Sequence, residues 1–185
     1  MTLNFVTSNL HKFEEVKEIA AREGIELVHS RTPYVEIQSD SLEEISNVGV
    51  QQACAIVKAP CFVEDAGLFV DALKGFPGPY SKYVFLTVGN QGILKLLEKE
   101  AKRGAEFRSA VGYCEPGGKP LVFIGKIRGA ITAAPKGSGG FGFDPIFTPE
   151  GEKKTFGEMP TEEKNRFSHR ARAVEGLIKW LKKGK

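Results

Sequence analysis

Short apolar runs of strand length alternate with helix-length amphipathic segments through the first half of the chain, and this alternation most limits the possible folds. Residues 3–7 form the first apolar run, and apolar positions then recur at helical spacing up to Glu23, where Gly24 ends the helix. Residues 25–28 predict a second strand. Such alternation is typical of folds in which helices pack against a sheet.

The rest of the chain adds further predicted elements. A helix follows Ser41, because Glu44 three residues later completes a capping box, and it ends before Pro60. The remaining predicted segments are an extended stretch at residues 34–37, strands at 61–64 and 68–72, a helix at 90–103, a hairpin of 105–115 and 119–132, and a closing helix at 168–183. This order predicts an α/β fold with a mixed sheet.

The composition predicts one globular domain, or one domain with two lobes, for the 185 residues. The net charge of +3 suits a small anionic substrate and nucleic acid equally well. The three cysteines lack a C-x-x-C motif, which favours buried thiols in a reducing compartment over a disulfide framework or zinc site. No apolar run approaches membrane-spanning length and the N-terminus lacks a signal-like pattern, so we expect a cytoplasmic protein.

The stretch TSNLHK, residues 7–12, lies at the predicted junction of a strand and a helix. The N-terminus of a helix offers backbone N–H groups and a partial positive charge, both of which suit phosphate. Lys12 adds a positive charge beside them. The alternative is that Ser8 or Asn9 only caps the helix and that Lys12 is a solvated surface residue.

Acidic side chains stand where predicted extended segments end. Glu36 closes one such segment, and Glu64 and Asp65 close another. Ligands of open α/β sheets gather outside strand ends, and Mg²⁺ usually takes one or two protein carboxylates. Acids from separate strands could therefore hold a metal ion, although exposed acids at strand ends often bind nothing.

The stretch GSGGFGFDP contains a literal G-x-G-x-x-G within residues 137–142. A dinucleotide-binding fingerprint follows a first strand and opens a helix, whereas this one occurs late and no helical pattern follows it, so the match is accidental. Phe141 and Phe143 could instead stack on a nucleobase, and Asp144 could accept from a ring N–H. Alternatively, both phenylalanines belong to the core.

Lys164 and the sequence Ser168-His169-Arg170 place several hydrogen-bond donors before the closing helix. The planar guanidinium of arginine suits carbonyl and ring-nitrogen acceptors. The alternative is a capping serine followed by surface charges.

Six blocks in this order resemble the inosine triphosphate pyrophosphatase family, whose members hydrolyse non-canonical purine nucleoside triphosphates. They are TSNLHK, VEDAGL, GFPGPYS, GGFGFDP, EMPTEEKN and SHRARA, and they span residues 7–173. The resemblance implies a single catalytic domain over residues 1–185, with a long mixed sheet flanked by helices and a substrate cleft between two lobes. It also implies a homodimer without a stable nucleic-acid partner. The implied reaction is Mg²⁺-dependent cleavage of ITP, dITP and XTP to the monophosphate and pyrophosphate, which removes them from the nucleotide pool.

The resemblance further implies roles for individual residues. The triphosphate is held by Thr7, Ser8, Asn9, Leu10, His11 and Lys12. The metal is held by Glu36 and Asp65, and Asp65 is also the catalytic base for the attacking water. Ala66 contacts substrate through its backbone, at a position where many members carry a small hydroxyl residue. The base pocket is lined by Phe141, Gly142, Phe143 and Asp144, and the base edge is read by Lys164, His169 and Arg170.

Two other functions remain open. One is a pyrophosphatase for modified pyrimidine nucleotides on a similar fold, against which Phe141, Phe143 and the SHR sequence argue. The other is a non-catalytic nucleotide- or RNA-binding module, which the basic pI of about 8.7 allows.

Overall fold

A computed structural model describes residues 1–184. The strands are β1 (Thr2–Val6), β2 (Glu26–Ser30), β3 (Cys61–Val70), β4 (Pro77–Gly78), β5 (Gly104–Cys114), β6 (Leu121–Ile131) and β7 (Phe147–Pro149). The α-helices are α1 (Leu10–Arg22), α2 (Leu42–Val57), α3 (Ser81–Thr87), α4 (Gly89–Leu96), α5 (Thr161–Lys164) and α6 (His169–Lys182). Short 3-10 turns lie at Asp71–Leu73, Asp144–Ile146 and Phe156–Glu158.

The seven strands form one mixed sheet, which confirms the predicted fold class. The strand order is β2-β1-β3-β5-β6-β7, and β4 pairs with β3 outside this path. Strand β1 is parallel to both β2 and β3, whereas β3/β4 and β6/β7 are antiparallel. The predicted hairpin is also confirmed, because β5 and β6 are neighbours in the sheet and are joined by residues 115–120.

Two predictions of secondary structure were wrong. The predicted strands 61–64 and 68–72 are one continuous strand, β3, which ends at Val70, while Asp71 and Ala72 lie in a 3-10 turn; Glu64 and Asp65 therefore lie within a strand and not at its end. The predicted helix over residues 90–103 begins at Gly89 and ends at Leu96, because the guanidinium of Arg103 donates to the carbonyl of Leu97, at 2.7 Å, instead of continuing the helix. Helix α3 and strands β4 and β7 were not predicted.

The chain folds as two compact units, each with its own apolar core. The first unit contains Met1–Asp65, Ser109–Gly125 and the segment from His169 onward. Its main core brings together buried side chains of β1, α1 and α6, among them Phe5, Val16 and Leu177. A second cluster in this unit contains the three buried, free cysteines, as the composition predicts.

The second unit contains Ala66–Arg108 and Lys126–Ser168. Its core includes Leu68 of β3, Ile93 of α4 and three phenylalanines, Phe107, Phe147 and Phe156, whose rings lie 4.8–6.0 Å apart between centroids. This core also includes Phe143 of the glycine-rich loop. Across residues 1–184, no helix combines the length and the apolar character needed to cross a membrane.

Candidate active site

The connection between β1 and α1 is fixed by a cap and two backbone contacts. Asn9 is the N-cap of α1: its Oδ1 accepts from the backbone N–H of Lys12 at 3.2 Å, and its own N–H donates to Thr7 Oγ1 at 3.1 Å. The ring of His29 stacks on Phe13, and its Nε2 lies 2.9 Å from the carbonyl of Thr7. The positive end of the α1 dipole is therefore presented on a rigid turn, as a phosphate site needs.

Lys12 is not the solvated surface lysine of the alternative interpretation. Its side chain is only 16% exposed, and its Nζ lies 2.9 Å from both the carbonyl oxygen and Oε2 of Glu64. The ammonium group is thus held beside strand β3, where the two acids Glu64 and Asp65 follow each other.

Glu64 is completely buried and stays ionised. Its Oε1 accepts from Ser109 Oγ at 2.5 Å and lies 3.2 Å from Nε of Arg170. Burial alone would raise the pKa of Glu64, but the positive charges of Arg170 and Lys12, with the hydrogen bond from Ser109, hold that pKa far below its ordinary value. Glu64 therefore serves as a fixed negative charge inside the first unit.

Arg170 extends this arrangement to helix α1. Its Nη1 donates to Oε2 of Glu15 at 2.5 Å, and its side chain is 2% exposed. Four side chains thus alternate in charge, each within 3.2 Å of the next: Lys12, Glu64, Arg170 and Glu15. We call this series the charge chain. The charge chain connects the turn at the start of α1, which suits phosphate, with the start of α6.

Sequence reasoning missed Glu15 and Ser109 and gave Glu64 no role of its own. One signal was present: Glu15 follows Lys12 by three residues on α1, so both side chains occupy one side of the helix. Ser109 lies within the apolar strand β5, where a lone hydroxyl gives no indication of its partner.

Glu36 and Asp65, the predicted metal ligands, both belong to the first unit. Glu36 is exposed and Asp65 is half-buried. Burial raises the pKa of the Tyr34 hydroxyl, and the negative charges of Glu36, Asp65 and Glu64 raise it further.

The donors available here fit Mg²⁺. Within residues 1–184, no group of three or more His, Cys, Asp or Glu side chains is arranged to hold a metal ion. Two carboxylates are sufficient for Mg²⁺, because it keeps several waters and binds substrate phosphate oxygens. Glu64 is already engaged by Lys12, Arg170 and Ser109, which leaves Glu36 and Asp65 as the candidate ligands.

The predicted base-binding residues Phe141, Gly142, Phe143, Asp144 and Lys164 all belong to the second unit. The buried carboxylate of Asp144 accepts from the N–H of Phe141 at 2.9 Å and from Nζ of Lys164 at 2.6 Å. The backbone of Gly140 has a φ of +66°, and a Cβ there would lie 2.1 Å from Asp144 Oδ2, so this close turn requires glycine. As expected, the glycine-rich loop opens no α-helix.

The two phenylalanines of this loop have different environments. Phe143 is 3% exposed and packs edge-to-face on Phe85, at 5.6 Å between centroids, which matches the core interpretation. Phe141 is half-buried, and the Lys164 ammonium lies 5.2 Å from its ring centroid. Of the two, only Phe141 is partly exposed, so it is the candidate to meet a planar ligand.

The other predicted site residues divide between the units. Thr7, Ser8, Leu10 and His11 stay with Lys12 in the first unit, and Ala66 begins the second. His169 opens α6 in the first unit and is 2% exposed. The backbone of α6 is close-packed here, because a Cβ on Gly125 of β6 would lie 2.0 Å from the carbonyl of His169.

Comparison with known proteins adds independent information. The model of the Ham1 family matches residues 3–180. The dITP/XTP pyrophosphatase of Methanopyrus kandleri is 55% identical over 182 residues, which cover 98% of this chain and 97% of that protein. The dITP/XTP pyrophosphatase of Thermococcus kodakarensis is 51% identical and covers 98% of both chains.

Solved structures show the same fold. A HAM1 protein from Coxiella burnetii superposes with a TM-score of 0.87 at 26% identity, with both chains covered completely. The nucleoside-triphosphatase, or dITP/XTP pyrophosphatase, of Mycobacterium abscessus has a TM-score of 0.74 at 31% identity and covers 96% of this chain and 98% of its own.

Proposed function

The chain belongs to the Ham1 family, and on this premise we propose that it hydrolyses non-canonical purine nucleoside triphosphates. The proposed substrates are ITP, dITP and XTP, and the products are the nucleoside monophosphate and pyrophosphate. The observation that carries the proposal is the near full-length identity, 51–55%, to relatives named dITP/XTP pyrophosphatases. The proposed site of action is the cytoplasm, where the nucleotide pool is kept free of such bases.

For the phosphate side we propose that residues 7–12 hold the triphosphate. The rigid turn capped by Asn9 and the positive end of α1 support this assignment. Lys12 would stabilise negative charge on the departing pyrophosphate, since its ammonium is already fixed in place by Glu64.

For the reaction itself we assign the role of general base to Asp65, which would accept a proton from the water that attacks the α-phosphorus. Glu36 and Asp65 would hold Mg²⁺, which supplies charge neutralisation on the phosphates and acidifies water. Positioning and electrostatic stabilisation are the main tasks in this type of transfer, because little covalent chemistry falls on the protein.

For the base we propose that Phe141 and Gly142 meet the purine, and that Phe143 and Asp144, which are buried, hold the loop in shape. Lys164, His169 and Arg170 are the proposed donors to the base edge. Hypoxanthine and xanthine carry a carbonyl at C6, whereas adenine carries an amino group that leaves such donors unpaired. A site built around this kind of hydrogen bond can discriminate by about 10⁴–10⁵. Ala66 contributes a backbone contact, and the cleft between two lobes stays a prediction.

Pyrophosphate release from a panel of triphosphates tests the proposed function. We expect rapid release from ITP, dITP and XTP in the presence of Mg²⁺, slow release from ATP, and almost none after chelation of the metal. Release from modified pyrimidine triphosphates alone would identify the alternative enzyme. No release from any nucleotide would indicate a binding module.

We also propose a homodimer, supported by an apolar face on α3. Tyr80, Tyr83 and Leu86 follow each other at three-residue spacing, and Tyr83 and Leu86 are each 71% exposed. Val88 and Leu96, each more than half exposed, lie nearby in the chain. Contiguous exposed apolar side chains of this kind mark interaction surfaces.

Charged substitutions on the apolar face test the dimer. The double change Tyr83→Glu and Leu86→Lys should convert a dimer to a monomer, because it places charge where apolar surface would be buried. Light scattering after size exclusion at micromolar concentration measures this directly. Ile56→Lys, at a 54% exposed site on α2, is the matched control and should leave the mass unchanged. A monomeric wild type contradicts the proposal.

A further inference from the structure

The segment that carries Glu36 has no secondary structure of its own. Among the described residues, 31–40 belong to no helix and no strand. The position of such a backbone is determined by the groups that satisfy its N–H and C=O, since it has no ladder to hold it. The geometry of Glu36 therefore depends on whatever side chains bind this segment.

Gln52 of α2 binds the residue next to Glu36 through both of its backbone groups. The N–H of Val35 donates to Gln52 Oε1 at 3.2 Å, and Gln52 Nε2 donates to the carbonyl of Val35 at 3.1 Å. One side-chain amide thus pairs with Val35 as a neighbouring strand would. The side chain of Val35 is 69% exposed, so packing does not hold this residue.

This pairing restrains the backbone position from which the Glu36 side chain extends. The carbonyl of Val35 and the Cα of Glu36 lie in the same planar peptide unit. When the carbonyl is held, that plane is held with it, and φ of Glu36 together with its side-chain torsions places the carboxylate. A loss of the two hydrogen bonds would release the plane and spread the carboxylate over a larger volume.

A second contact on the same face of α2 orients the segment. The ring of Tyr34 packs against Gly49 so closely that a Cβ there would lie 2.9 Å from Tyr34 Cε2. Gly49 and Gln52 are three residues apart, so they occupy one side of the helix. Tyr34 at Gly49 and Val35 at Gln52 are therefore two adjacent contacts by which α2 holds the segment that carries Glu36.

We propose that Gln52 is a positioning residue for the divalent metal site. By pairing with Val35 it holds the carboxylate of Glu36 where Glu36 and Asp65 share one cation. The inference rests on the proposed function, in which these two acids bind Mg²⁺. Gln52 itself touches neither metal nor substrate.

Metal affinity without nucleotide tests this role. Mn²⁺ binding, followed by the EPR signal of the free ion, should be about tenfold weaker in Gln52→Leu, as is usual when the group that orients a metal ligand is removed. Leucine keeps similar bulk but makes neither hydrogen bond. Gln51→Leu is the matched control: Gln51 is exposed, donates to Asn47 Oδ1 at 2.7 Å, and should leave the affinity unchanged. Thermal unfolding of each variant monitors the fold.

The Glu36→Gln background separates positioning from a general effect. If Gln52 acts through Glu36, Gln52→Leu causes no further loss of Mn²⁺ affinity once Glu36 is replaced. A full additional loss in that background, or wild-type affinity in Gln52→Leu alone, overturns the inference while leaving the proposed function intact. Unchanged affinity in Glu36→Gln alone overturns the proposed metal site and the inference with it.

Discussion

Replacing Asp65 with asparagine should lower kcat for ITP by about 10²–10⁴-fold, the usual contribution of a positioned general base. Asparagine keeps the size of the side chain but cannot accept the proton from water, and it is a weaker ligand for a divalent cation. The fold should survive, because Asp65 is half-buried and Glu64, not Asp65, carries the buried ion pairs. Steady-state pyrophosphate release, together with thermal unfolding, measures both expectations.

Asp71→Asn is the matched control for Asp65→Asn. Asp71 follows the end of the same strand, and its carboxylate pairs with Arg128 at the surface, where both side chains are about half exposed. Its replacement should change kcat by less than twofold, because Asp71 has no part in the proposed site, and should lower stability by about 1 kcal/mol or less, as is usual for an exposed ion pair. Wild-type turnover in Asp65→Asn would remove Asp65 from catalysis.

Replacing Arg170 with methionine should destabilise the protein by about 3–5 kcal/mol, because the change leaves Glu15 and Glu64 without their shared positive partner. Methionine fills most of the volume, so the loss reports the charges more than a cavity. A total stability of about 5–15 kcal/mol is typical for folded proteins, so this one change would remove a large part of it. Urea denaturation at neutral pH is the appropriate measurement.

Arg166, an exposed arginine just after α5, is the control for the buried Arg170. Arg166 pairs with Glu162 with both side chains about two-thirds exposed. Arg166→Met should shift the free energy of unfolding by about 0.5 kcal/mol or less. If Arg170→Met were equally mild, the charge chain would not hold the first unit together, and a role of Arg170 limited to the nucleobase would be favoured.

The βαβ beginning of the fold could be predicted because local patterns and tertiary structure agree there. Helix α1 has its cap at Asn9 and its apolar side at Phe13, Val16 and Ile19, and all three apolar side chains are buried. Strand β3 could not be predicted as one element, since Glu64, Asp65 and Gly67 interrupt its apolar pattern. Gly67 is explained by a distant contact: a Cβ there would lie 2.2 Å from the carbonyl of Gly78 on β4.

The sequence also failed to predict helix α3 and the end of helix α4. Helix α3 carries exposed Tyr83 and Leu86 and therefore lacks the amphipathic pattern of a surface helix. The early end of α4 is set by Arg103, whose guanidinium donates to the carbonyls of Leu97, Ile131 and Thr132 at 2.7–2.8 Å. A local pattern cannot show that a charged residue predicted to extend a helix instead satisfies carbonyls from β6 and the residue after it.

The candidate site was predictable to the extent that its residues stand in short blocks. Residues 7–12 could be identified as a turn that suits phosphate. Ser109 could not, because it acquires its role from Glu64, and the spacing of Glu15 from Lys12 gives no indication of its distant partner, Arg170. Gln52 is similar, since its significance comes from the backbone of Val35 and not from its own surroundings on α2.

The charge chain also affects how the protein is made. Glu15 and Arg170 are separated by 155 positions, so a nascent polypeptide carries α1 and its acid out of the ribosome long before the compensating guanidinium is translated. Until α6 emerges, the interior that will enclose Glu15 and Glu64 has to stay open to water. Prematurely terminated products lacking that helix should therefore remain unfolded and be open to proteolysis.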